Sequence, residues 1–241
     1  MDEVQNEEEI LLDDFVQTFE TVFEHASSKV MKLLDSDVIQ SSFDYINDVG
    51  ETLLNCIGTI RAIKKMASIP TKLYMAKFEQ FCRGLSDIPM EKRQKYRRLL
   101  GEKRFNEESV FILNTINKIE ELEELELLLV LLESRLDESI SDETFHRYVI
   151  RVDNTLVDDL HYLRDHLKND NFFLEHVQQE SLFSSGWIIY SGMGVVGIDD
   201  TRNDANLYRY SDSAKEFCKI VYGVEANDTV RNTPFITTEY E

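Results

Sequence analysis

Between Ile119 and Asp137 the chain carries a leucine face too wide to lie on a surface. Leu122, Leu125, Leu129, Leu132 and Leu136 step by three and four residues, and Leu127, Leu128 and Leu131 widen the stripe. A two-residue seam would suit an extended coiled coil, but only about two and a half heptads are present. A broad apolar face needs neighbours on several sides. The spacing therefore predicts a central bundle helix, with Leu125, Leu128, Leu129 and Leu132 among the most buried residues. Only three Pro and nine Gly interrupt 241 residues, which favours long helices elsewhere too.

The same reading runs along the chain. Residues 7–34 form an amphipathic helix on Ile10, Leu11, Phe15, Phe19, Val22 and Phe23, and apolar stretches follow at 38–46 and 53–66. Pro70 suits the first turn of a helix running to Leu85, with Gly84 near its end. Pro89 opens another, stopped near Gly101, and Asn106 is the expected N-cap of a helix over 107–118. Ser141, ahead of Asp142 and Glu143, starts a long helix over 142–168. After Asn169 the pattern changes. A short helix at 171–184 precedes strands at 187–190, 192–197 and 207–210, and a helix over 211–222 ends at Gly223.

These elements predict a mainly α chain, a multi-helix bundle followed by a small winged-helix-like α+β domain. Its expected parts are an acidic amphipathic helix at 1–34, the bundle at 35–168, the winged-helix-like domain at 169–223 and a flexible tail at 224–241. Cys56, Cys82 and Cys218 fit neither a disulfide framework nor a zinc spacing, and the start Met1-Asp2-Glu3 is no basic signal segment. No apolar run is long enough to cross a bilayer. A cytoplasmic location is the expectation.

Charge is distributed in blocks. The chain has 46 acidic and 26 basic residues, a net −20, yet 61–104 holds 13 of the bases and four acids, a local +9. Within it, Lys92, Arg93, Arg97, Arg98, Lys103 and Arg104 are the candidate partner-binding residues. Arginine there pairs bidentately with carboxylate as readily as with phosphate. Neutralisation by acidic segments of the same molecule, 1–24 or 120–126, or of a second subunit is the first expected destination for these charges. A DNA duplex laid on the island would meet acidic flanks on both sides. A protein partner or self-association is therefore expected ahead of nucleic acid.

Three constellations resemble chemistry. Gly192-Met193-Gly194-Val195-Val196-Gly197 has the spacing of a dinucleotide loop, but Ile198-Asp199-Asp200 follows where a phosphate-binding helix should begin. No cofactor is expected. Glu143-x-x-His146 and Asp158-x-x-His161 look like paired metal motifs. On one helix, however, they would stand about 22 Å apart, too far to share an ion. No metal site and no catalytic residue is expected.

The residues from Arg61 through Lys77-Phe78, with Phe81-Cys82-Arg83-Gly84-Leu85, Ile88-Pro89 and Glu91-Lys92-Arg93, carry a resemblance. So do the Leu-rich segment 125–132, Ser141-x-x-x-Phe145 to Val152-Asp153, and Tyr208-x-Tyr210-Ser211-x-x-Ala214-Lys215-x-Phe217. Together they resemble a poorly characterised family of bacterial helical proteins met on mobile elements and in defence islands. The resemblance implies a non-enzymatic protein of bacterial or phage origin, acting in phage defence or counter-defence through protein contacts. A nucleic-acid-binding regulator, an acidic DNA mimic and a metal-dependent helical enzyme are the alternatives. The first is favoured by salt-dependent retention on DNA. The DNA mimic would exploit −20 but is opposed by the +9 island. The enzyme would bind stoichiometric iron or manganese.

Overall fold

The computed structural model describes residues 16–27, 69–193 and 206–227. Expectations for 1–15, 28–68, 194–205 and 228–241 lie outside the described residues. The chain divides into two compact units, Met1–Asp153 and Asn154–Glu241.

The first unit is helical throughout its described part. α1 (16–25), α2 (Ile69–Asp87), α3 (Met90–Lys118), α4 (Leu122–Leu136) and α5 (Asp142–Asp153) follow in order. α4 lies against α2, α3 and α5, as its wide apolar face requires. Leu125, Leu127, Leu128, Leu131, Leu132 and Leu136 are buried. Two leucines depart from expectation. Leu129 is only half-buried, and Leu122, in the first turn, is 56% exposed. Gly84 explains the place of Leu129. It lies inside α2 rather than ending it, and a Cβ there would overlap the Leu129 side chain. Phe19 and Phe23 of α1 pack against Phe81, Tyr96 and Phe105, an aromatic core with ring centroids 5.0–6.2 Å apart.

Gly101, where the sequence places a helix stop, bends α3 instead. Gly101 adopts φ 72°, ψ 167°, a left-handed value that breaks the helix without ending it. Helix resumes at once, so Asn106 is not an N-cap. Its side chain instead hydrogen-bonds to Glu20. Ser141 does cap α5, its hydroxyl accepting from the Thr144 N–H at 3.1 Å.

The helix expected over 142–168 is two helices, broken at Asn154-Thr155-Leu156. That break feeds the second unit, which comprises α6 (Val157–His166), α7 (Val177–Ser184), β1 (Ile188–Met193), β2 (Asn206–Tyr210) and α8 (Asp212–Tyr222). Trp187, fully buried against Phe217, donates its Nε1–H to Thr155 Oγ1 at 3.0 Å, and Ser185 donates to the Asn154 carbonyl at 3.1 Å. Ser185 thereby satisfies a backbone carbonyl that helix continuation would have claimed.

β1 and β2 pair antiparallel, with Ile188 opposite Tyr210, Tyr190 opposite Tyr208, and a bulge between Tyr190 and Gly192. The helix expected from 171 begins only at Val177. Phe172 instead exchanges two backbone hydrogen bonds with Tyr208, each 2.9 Å, on β2. α8 matches its sequence signals at both ends. The Ser211 hydroxyl accepts from Ala214 N–H, and Gly223 closes the helix at φ 67°. The fold is thus mainly helical, with a small two-stranded antiparallel sheet. No described helix is long and apolar enough to cross a membrane.

Candidate functional site

The basic stretch supplies cations to two helix ends. A helix C-terminus leaves carbonyls without intrahelical donors and carries the negative end of the macrodipole. Arg93 answers both needs for α1. Its Nη1 donates to the carbonyls of Val22 (3.2 Å) and Phe23, its Nη2 to that of Ala26, and its Nε to that of Ile88 (3.1 Å). The residue is 1% exposed. Burial pushes its pKa down to about 10, which leaves it charged at neutral pH. Lys77 does the same for α3, with Nζ donating to the carbonyls of Asn117 (3.0 Å) and Ile119 (2.7 Å).

Other members of the stretch pair with carboxylates of the same unit. Arg97 reaches Glu24 of α1 at 2.5 Å and Glu20 at 3.9 Å, its guanidinium 5.4 Å from the Phe105 ring centroid. The Glu24 hydrogen bond raises the Arg97 pKa, and desolvation raises that of Glu20. Lys92 holds Asp137 at 2.6 Å just past α4, and Lys95 holds Glu138 at 2.6 Å. Arg104 bonds Asp142 at 3.1 Å, which Arg135 also grips.

The six candidate residues therefore divide. Arg93 is a correction to the surface reading, because its guanidinium faces inward and has no room for a partner's carboxylate. Lys92, Arg97 and Arg104 stand in ion pairs at the surface of the unit. Arg98 meets no carboxylate among the described residues, its Nε donating only to the Gln94 carbonyl at 3.2 Å. Lys103, 90% exposed in its side chain, stands 3.9 Å from Glu107. Beside Arg98, Leu99 is 65% exposed. Arg61, Lys64 and Lys65 lie outside the described residues.

Of the two metal-like pairs, the first is drawn to other partners. Glu143 bonds Arg147 at 2.6 Å, and His146 Nε2 meets Glu108 Oε2 at 3.0 Å, tying α5 to α3. Asp158 and His161 fall on α6, a different helix. Among the described residues no group of three or more His, Cys, Asp or Glu converges as a metal site would require. Of the glycine motif, Gly192 belongs to β1 beside the bulge, while Gly194 and Gly197 lie outside the described residues.

Glu108 was not a visible candidate. It stands 38 residues from His146, and nothing local marks it as buried. The Glu108 hydrogen bond, opposed by burial, raises the His146 pKa, and Asp142 pushes the same way. Phe111 and Phe145 flank the ring. A raised pKa makes the stabilisation complete below the ordinary histidine value and lost as pH rises through the folded one. The side chain is 37% exposed, so solvent screening holds the effect to roughly 0.5–1 kcal/mol. Unfolding free energies of wild type and His146→Gln should differ by that much near pH 5.5 and converge toward pH 9. A difference that does not vary with pH rules out the protonated clamp.

An apolar crevice of about 10 Å³ opens between Ile119, Leu128, Leu131 and Val152, with Glu124 and Asp153 among its lining. That is room for roughly one water molecule. Comparison of the chain with protein-family models, with curated proteins and with solved structures finds no match.

Proposed function

We propose that the protein is a non-enzymatic interaction protein, working through protein contacts made by the outward face of α3. The observation that carries this reading is Leu99, 65% exposed beside Arg98, whose charge no described carboxylate takes up. An exposed leucine framed by cations suits an acidic protein surface that also offers an apolar side chain. The buried and paired members of the basic stretch hold the face in place.

The bacterial or phage setting, and a role in defence or counter-defence, rest on the resemblance within 60–167 and the closing 208–217. The second unit is read here as winged-helix-like, on the order α7, β1, β2. α7 contains Gln178, Gln179 and Glu180 and no Lys or Arg, which supports a scaffold for protein rather than a DNA reader. A cytoplasmic location belongs to the same proposal.

The test is a photo-reactive residue at Leu99, compared with one at Leu73, which is 63% exposed. A protein adduct should form at Leu99 and disappear when Arg98→Glu is added, with circular dichroism unchanged. Duplex DNA should not be retained in a gel shift at low salt. Tight duplex binding abolished by Arg98→Glu would instead establish the nucleic-acid regulator.

A further inference from the structure

Two exposed leucines of the first unit stand in opposite electrostatic surroundings. Leu99 shares the outward face of α3 with Lys95 and Arg98, and Lys103 follows just past the Gly101 bend. Glu91 and Glu102 are the acids nearest in sequence. Leu122 opens α4 behind exposed Glu120 and Glu121, with exposed Glu126 one turn on, on the same side of the helix. None of these three carboxylates has a cationic partner among the described residues. Lys95 already pairs with Glu138 and Lys103 stands 3.9 Å from Glu107, so Arg98 is the cation of the Leu99 face that no described carboxylate takes up.

They cannot meet within one chain. The helical stretch from Gly101 to Lys118 separates them, a spacer of roughly 25 Å at 1.5 Å per residue. We propose that the chain self-associates, the Leu99 face of one copy docking on the Leu122 turn of a second. Arg98 and Lys103 meet Glu120, Glu121 and Glu126 across the contact, and the two leucines desolvate each other between them. Two copies lying antiparallel make the contact twice, as a closed two-fold pair. The patches are small, so the association is of micromolar strength or weaker. It competes with the repulsion between two chains of net charge −20. Ionic strength near 0.15 M screens that repulsion beyond about 8 Å and leaves contact-range pairs acting.

This inference names the partner for the face proposed above and rests on that reading. The experiment is sedimentation velocity on the full chain, 28.2 kDa, over a wide concentration range at about 0.15 M salt. Wild type should rise above the monomer mass. Arg98→Glu with Lys103→Glu should weaken association at least tenfold, and so should Glu120→Arg, Glu121→Arg and Glu126→Arg together. Each variant then carries like charges on both patches. Mixed one to one, the two variants should re-associate, because every contact in the mixed pair is again between opposite charges. That recovery excludes misfolding as the cause of the loss. A wild type that stays monomeric to several hundred micromolar, or a mixture that fails to recover, overturns the proposal. A monomer that still forms an Arg98-dependent adduct with another protein at Leu99 sinks self-association and leaves the contact-face reading standing.

Discussion

Replacing Arg93 with Met should destabilise the protein by roughly 3–5 kcal/mol, although Arg93 touches no carboxylate among the described residues and lies in a stretch that reads as surface. The guanidinium satisfies carbonyls of Phe23, Ala26 and Ile88, and adds a second donor at Val22, whose carbonyl also accepts from the Ala26 N–H at 2.7 Å. Each buried acceptor left without a donor costs on the order of 1–3 kcal/mol. Methionine keeps much of the volume and removes the cost of desolvating a charge, which offsets part of that loss. Lysine is expected to rescue only in part, since one ammonium cannot match the fork that spans the carbonyls of α1 and Ile88. Urea unfolding of wild type, Arg93→Met and Arg93→Lys measures this directly. Arg97→Ala belongs beside them and should cost less, since its pairs with Glu20 and Glu24 are partly solvent-exposed. If Arg93→Met unfolds like wild type and only a binding activity is lost, Arg93 is a surface contact after all and the inward geometry is wrong.

The second large effect separates two neighbouring leucines that periodicity treats alike. Leu125→Ala should cost about 2–5 kcal/mol, because the side chain is fully enclosed and leaves a cavity. Leu129→Ala should cost only about 1–2 kcal/mol, since the residue is half-buried. The pair is best measured in one denaturant series, where a common m-value shows that both report the same transition. Equal costs would mean that Leu129 is as fully enclosed as Leu125.

That contrast marks how far the sequence carries. The wide face of α4, the start of α5 at Ser141 and the end of α8 at Gly223 were legible before any coordinates, and Gly101 was legible as an interruption, though as a stop rather than the bend it makes. Each depends on residues within one or two turns of each other, where periodicity and capping act. The break at 154–156 was not, because no Pro or Gly marks it. Asn154 and Thr155 leave the helix to meet Ser185 and Trp187, roughly 30 residues downstream. Phe172 likewise gives up helix for a bridge to Tyr208. Both are tertiary pairings overriding a local preference that was weak to begin with.

The candidate site divides on the same line. Composition alone located the basic stretch and its acidic surroundings, because charge counts need no geometry. Which cations remain outward was decided only by the fold. Arg93 turns in to a helix end 71 residues earlier, Lys77 reaches one 42 residues later, and Arg97 finds α1. Spacing along one helix cannot foretell such partners, since they are fixed by which helices stack and where their carbonyls stop. Arg98 and Leu99 are left facing outward by the same packing. The sequence by itself determined a helical protein with segregated charge; the tertiary structure decided that much of this charge holds the molecule together, because an unpaired helix end in a core costs more than an exposed cation gains in water.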